Sequence, residues 1–221
     1  MNEYDNQSMR DAYLDFIGNK TFPCTGARAA LASNTIRTMA ATHLACPADD
    51  AAILQLLYNM IDGYRQQPEM LYSAAIIFRG PLELTETVFE RLLWQRLQCI
   101  ADLDAEHYGY DKRVAADPRD ENFSYSLKEE GLYIIGLHPG ASRKARRFLF
   151  PALVFNPHHQ FGRLKETDSF EKMKRKIRKR DTVFSGSVNP MLNDFGTASE
   201  AVQYSGMRHD EDWKCPFNRK L

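Results

Sequence analysis

The sequence predicts an α+β fold in one domain over residues 1–221: a small, mostly antiparallel sheet of about four strands covered by helices. Three observations predict it. Apolar residues recur at helical spacing in several long segments, and short β-leaning runs fall between them. Two of those runs are separated by a turn, as in a hairpin. Nothing repeats at a fixed period, and helical and strand-like units interleave along the whole chain, which favours layered packing around one core.

The elements follow in order. Tyr13, Phe16 and Ile17 stand at i, i+3, i+4 and predict a short amphipathic helix over Tyr4–Ile17, broken by Pro23 and Gly26. A second helix opens near Ala27, with Thr25 as its candidate N-cap. From Asp49 and Asp50, the stripe Ile53, Leu54, Leu57, Met60, Ile61 and Tyr64 marks a long helix. Tyr72–Phe78 is an apolar run closed by Arg79-Gly80-Pro81, the pattern of a buried strand. Thr85 or Thr87 starts a helix to about His107. Residues 111–122 are a polar loop. Phe123–Leu127 and Leu132–Leu137 are predicted as hairpin strands around Lys128–Gly131, and Pro151–Phe155 as a further strand. His158–Arg180 is predicted helical with a break near Thr167. Gly, Asn, Pro and Ser dominate from Thr182, predicting irregular segments with short helices.

A chain of 221 residues is long enough to bury a core without disulfides or a structural metal. Its 43% hydrophobic and 26% charged residues exclude a disordered or collagenous chain. Lys+Arg and Asp+Glu are 29 each, so no basic excess points to a nucleic acid or a membrane surface as partner. No apolar run is long enough to span a membrane. The polar start Met1–Ser8 lacks the basic and apolar regions of a signal peptide, and the expected location is cytoplasmic. Cys24, Cys46, Cys99 and Cys215 form no CxxC pair and are expected as reduced thiols. The P-loop, GxGxxG, HExxH and GxSxG patterns are all absent.

Two strand ends carry histidines. His138 is followed by Pro139-Gly140-Ala141-Ser142 and the cations Arg143, Lys144, Arg146 and Arg147. If Ser142 caps a short helix there, the turn suits an anion; otherwise it is a basic surface turn. Asn156-Pro157-His158-His159 follows the next strand, and two such junctions favour a shared pocket. Glu171–Asp181 holds seven cations and two carboxylates around Phe170, Met173 and Ile177, which reads as an amphipathic helix with a solvated basic face.

Several stretches carry a family resemblance: Phe22–Leu31, Phe78–Pro81, Leu93–Gln98, Gly136–Phe148, Val154–Phe161, Asn189–Gly196, Ser199–Gly206 and Trp213–Phe217. In order and over about residues 14–217, they resemble the YqcI/YcgG family. The resemblance implies haem chemistry, because characterised relatives include haem-dependent N-oxygenases such as the pre-guanitoxin N-hydroxylase. The implied reaction uses dioxygen and electrons from an external donor to oxidise a guanidine or amine nitrogen of an amino acid or derivative. In the Ser199–Gly206 stretch the family pattern has Arg where this chain has Val202.

With haem b as the implied cofactor, His138 is the expected iron ligand, and Arg143, Arg146 and Arg147 the expected propionate partners. His158 is the alternative ligand or a distal catalytic group. Cys24 and Cys215 are the thiolate candidates. Asp194 and Glu200 are expected to meet the substrate cation. The alternatives are a non-catalytic haem-binding or redox-sensing protein, and a non-haem metal enzyme using His138, His158 and a carboxylate. A homodimer is compatible with all three.

Overall fold

The computed structural model describes residues 5–160, 169–187, 196–210 and 212–219. Helix α1 (Asn6–Gly18) starts at Asp5, whose carboxylate caps the Ser8 amide, and buries Met9, Tyr13 and Ile17. Helix α2 (Thr25–Ala32) begins one residue earlier than its expected cap allows. Its N-cap is Cys24, whose Sγ accepts from the Ala27 amide at 3.4 Å, and Thr25 is its first residue.

Strand β1 (Ile36–His43) and strand β2 (Ser73–Gly80) are parallel, joined through helix α3 (Asp50–Gln66). A parallel pair needs such a crossover, because its two strands run the same way. Helix α4 (Glu86–Ala105) is capped by Thr85. Strands β3 (Tyr125–Leu127) and β4 (Glu130–Leu137) form the expected hairpin. Its two turn residues, Lys128 and Glu129, both have positive φ, the backbone a two-residue hairpin turn demands. Strand β5 (Ala152–Pro157) inserts between β4 and β2. Helix α5 (Ser169–Ser185) and the single turn α6 (Ala201–Tyr204) complete the described elements. The break expected near Thr167 lies outside the described residues.

The sheet has five strands in the order β1-β2-β5-β4-β3, with three antiparallel pairings and one parallel. The α+β class therefore holds, with β1 as the additional strand. Residues of β2 alternate between two cores. Ala74, Ile76 and Phe78 pack with α3 and α4. Ala75 and Ile77 pack with Met9, Tyr13 and Ile17 of α1. Burial on both faces explains why β2 reads as an unbroken apolar run. Among the described residues no helix is long and apolar enough to cross a membrane.

One buried ion pair ties the helices of the first face together. Arg96 of α4 bonds Asp50 at the start of α3, and its Nε and Nη2 reach the Leu44 carbonyl at 3.0 and 2.7 Å. The sheet and α4 approach most closely at Gly136 of β4. A Cβ there would lie 2.6 Å from Phe89 Cε1 and 2.8 Å from Leu93 Cδ1. Gly136→Ala is therefore expected to overpack the interface and cost about 1–3 kcal/mol, read as a lower urea midpoint with an unchanged m-value.

Candidate functional site

The two strand-end histidines do not share a pocket. β4 and β5 are antiparallel neighbours, with Leu132 opposite Pro157 and Leu137 opposite Ala152. Their C-terminal ends therefore point to opposite ends of the sheet. His158 donates its backbone amide to the Gly131 carbonyl at 2.7 Å, beside the start of β4, while His138 follows the last residue of that strand. Seven residues of antiparallel strand separate Gly131 from His138, roughly 24 Å. That distance exceeds what separates an axial ligand from the reacting face of one haem. His138 and His158 cannot serve one iron, as haem or as a non-haem centre.

At the His158 end, each histidine faces a carboxylate. His158 Nδ1 lies 3.0 Å from Glu200 Oε1, and Glu200 is 5% exposed. The Tyr204 hydroxyl lies 3.4 Å from Glu200 Oε2 and accepts the Tyr125 amide at 3.1 Å. Glu200 is thus engaged within the protein on both oxygens, which does not fit the expected pairing with a substrate cation. Asp194, the other carboxylate expected there, lies outside the described residues.

His159 Nε2 is 3.6 Å from Asp111 Oδ2, and Asp111, Glu130 and His159 bring ligand atoms within 4.8 Å of one another. Arg113 already bridges both carboxylates, at 2.8 Å to Asp111 and 3.0 Å to Glu130. Burial alone would raise the Asp111 carboxyl. Hydrogen bonds from Arg113 and the Gly131 amide, with the His159 imidazole nearby, outweigh it and hold the group well below the usual carboxylate range. The two carboxylates form an ion network around Arg113, a guanidinium where a metal would sit.

At the other end, His138 is 1% exposed and stacks on Phe89 with ring centroids 4.3 Å apart. Its Nδ1 is buried without a hydrogen-bond partner among the described residues. Burial lowers its pKa to about 4, helped by the charge of Arg146 and partly offset by Glu86. The ring is therefore neutral, as a ligand must be.

The cations beside it are engaged elsewhere. Ser142 caps no helix: its amide and hydroxyl both bond Glu86, at 3.0 and 2.8 Å, and only the three-residue 3₁₀ turn Lys144–Arg146 follows. Arg143 bonds Asp181 at 2.6 Å and the Ser187 carbonyl at 2.9 Å. Arg147 bonds the carbonyls of Ala141 and Ser142 at 2.8 and 3.1 Å. Arg146 is buried and donates to the carbonyls of Gly136, Gln203 and Tyr204 at 3.0–3.1 Å. As placed, none of the three presents an unengaged guanidinium to a propionate.

The Ser199–Gly206 stretch joins the two ends. Glu200 holds His158, and Gln203 Oε1 accepts the Tyr133 hydroxyl at 2.7 Å. The carbonyls of Gln203 and Tyr204 take Arg146. Gly206, at φ +82°, lets the chain pass over the Arg146 side chain, where a Cβ would meet Cγ at 3.2 Å. Val202 is half-buried on α6.

Neither cysteine candidate is a thiolate in this protein alone. Burial raises the Cys24 thiol despite the Ala27 and Gly26 amides aimed at it. Burial pushes Cys215 up to about 12. All four cysteines are free.

Sequence reasoning missed the pair Glu90 and His209. Glu90 of α4 is 8% exposed, and His209 Nε2 lies 3.0 Å from its Oε1. The His209 ring stacks on Trp213 at 4.2 Å. No local pattern announces two groups more than a hundred positions apart.

Together these features define an α+β protein whose sheet carries a carboxylate-backed histidine at one end and a buried neutral histidine at the other. The chain belongs to the YqcI/YcgG family, whose model matches residues 13–218. No curated protein and no solved structure matches it.

Two expectations follow. His138 takes a proton below about 6.5 when unfolded but only below about 4 when folded, so its contribution is full above the unfolded value and is lost as pH falls through that window. The loss is at most about 3 kcal/mol. His138→Gln should therefore lose less stability than the parent between pH 7.5 and pH 4.5, measured by urea denaturation at both values. Arg146→Met leaves three buried carbonyls unpaired, at roughly 1–3 kcal/mol each. The haem-free variant should be destabilised by more than about 3 kcal/mol, which a change confined to a haem-edge contact would not produce.

Proposed function

We propose that the protein is a haem-dependent N-oxygenase acting on a guanidine or amine nitrogen of an amino acid or derivative. Family membership supports this reading, and the observation that carries it is the His158–Glu200 pair. A metal-bound imidazole characteristically has its other ring nitrogen held by a carboxylate, which fixes the tautomer and strengthens the donor. Glu200 is placed to hold the Nδ1–H of His158, the tautomer with its lone pair on Nε2. Haem b, when bound, would supply the redox-active iron that activates dioxygen, with electrons from an external donor.

The chain's own residues set the surroundings. Burial of Glu200 among Tyr204, Tyr125 and Leu132 keeps water from competing for its oxygens. The Tyr133–Gln203 bond fixes α6, and with it Glu200, against β4. A second reading keeps His138 as the iron donor, favoured by its neutral ring and unpartnered Nδ1. It is the weaker one, since Phe89 covers a ring face and the neighbouring arginines are engaged.

The test is an absorption spectrum of protein expressed with a haem precursor, followed by oxygen uptake with guanidine and amine substrates. The expected result is a Soret band, retained in His138→Ala, lost or altered in His158→Ala and restored there by imidazole. Glu200→Gln should keep the haem but shift its reduction potential upward, since a weaker acceptor makes the imidazole a poorer donor. A Soret band without substrate-dependent oxygen uptake would indicate a haem-binding or redox-sensing protein. Colourless protein that binds iron would indicate a non-haem enzyme.

A further inference from the structure

One residue along from His158, Asp111, Glu130 and His159 each offer one ligand atom, all within 4.8 Å of one another. Three elements supply them: the loop before β3, the first residue of β4 and the segment just past β5. Both carboxylates are buried, and backbone amides fix the first. Asp111 Oδ2 accepts the Gly131 amide at 2.8 Å, and Oδ1 the Arg113 amide at 2.9 Å. Glu130 meets Arg65 with Oε2 at 3.4 Å and Arg113 with Oε1 at 3.0 Å. His159 Nε2 is shielded from water, has no hydrogen-bond partner among the described residues and lies 3.6 Å from Asp111 Oδ2. The Arg113 guanidinium bridges the carboxylates, yet its side chain is 51% exposed, against 2% for Arg96 and 5% for Arg219. Arg96 and Arg219 are enclosed, whereas Arg113 reaches in from solvent and can swing back into it. Two buried carboxylates would then be stranded at a cost, unless another cation replaced the guanidinium.

We infer that Asp111, Glu130 and His159 form a site for a divalent transition-metal ion of the zinc type, and that Arg113 holds the site when the ion is absent. One imidazole nitrogen and two carboxylate oxygens are ligands that Zn²⁺ accepts, and three protein ligands leave a tetrahedral ion one position open. The imidazole sets the preference, since Mg²⁺ and Ca²⁺ take oxygen ligands. Binding is an exchange of cations. The ion takes Asp111, Glu130 Oε1 and His159 Nε2, and Arg113 withdraws into water. Arg65 keeps Glu130 Oε2. The inference goes beyond the haem reading and does not depend on it, since the three ligands include neither member of the His158–Glu200 pair.

The test uses the full chain without an affinity tag, purified without haem and stripped with a chelator. Zn²⁺ is titrated by calorimetry near neutral pH, and Co²⁺ by its visible absorption, which reports the coordinating atoms. One ion per chain is expected, with Mg²⁺ and Ca²⁺ weaker. His159→Ala, at a partly exposed position, should weaken Zn²⁺ by about a hundredfold, the upper end of what losing even a ligand's supporting partner costs. Arg113→Ala should bind Zn²⁺ about tenfold more tightly than the parent, because the ion no longer has to displace a charge-assisted pair. A side chain that only stabilised the fold would not improve binding when removed. The inference is overturned if neither the parent nor Arg113→Ala binds Zn²⁺ at submillimolar concentration, if Arg113→Ala binds it no more tightly than the parent, or if His159→Ala binds it like the parent. Binding lost in His158→Ala but kept in His159→Ala would place the ion on the neighbouring histidine and overturn it equally.

Discussion

Arg146 is a buried guanidinium that, among the described residues, pairs with no carboxylate, and the C-terminal part of the fold hangs on its hydrogen bonds. Its donors reach the Gly136 carbonyl in β4 and the carbonyls of Gln203 and Tyr204 at the end of α6. Burial lowers its pKa, the direction expected when a cation leaves water. Three carbonyls spread around one cation suit the fixed planar fork of a guanidinium better than the point charge of an ammonium. Through that fork α6 is seated on β4, which in turn sets where Glu200, Gln203 and Ser205 point. Each of these touches a different part of the molecule: His158, Tyr133 and Glu90 respectively.

Antiparallel pairing then divides the chemistry. Because β4 and β5 run in opposite directions, a histidine just past each strand must lie at opposite ends of the sheet. The environments differ accordingly. His158 has a carboxylate within hydrogen-bond reach, whereas His138 has an aromatic ring and a buried cation nearby. The first environment fixes the orientation of an imidazole; the second suppresses protonation and tightens packing.

What the sequence disclosed follows from which forces act locally. Helices α3 and α4 were legible because each shows one wide apolar stripe, and β2 because both its faces are covered. The β3–β4 hairpin was legible from two apolar runs around a short turn. Strand β1 was not: Arg37, Thr38, Thr42 and His43 leave it half exposed, and its partner is supplied by the α3 crossover rather than by any local pattern. The cap of α2 shifted from Thr25 to Cys24, because a thiol can accept the amide a hydroxyl was expected to take. Ser142 failed as a cap because Glu86, 56 residues away in sequence, takes its amide and hydroxyl. His158 was legible as a strand-end histidine, and Glu200 only through its place in a family stretch. Their contact depends on α6 being seated by Arg146, which no spacing reveals.

Glu200 meets a histidine on one oxygen and a tyrosine hydroxyl on the other, with no arginine or lysine paired to it among the described residues. Asp50, Asp104, Asp111 and Glu130 are buried but paired with Arg96, Arg219, Arg113 and Arg65. Glu90 differs from them in having only a serine and a histidine beside it, on the wall of an open groove. Its neighbours are a hydroxyl and an imidazole where the other four have a guanidinium. Glu90 thus shares with Glu200 a buried site in which a histidine and a hydroxyl stand where the other four have an arginine, and both sites depend on the segment that Arg146 holds in place.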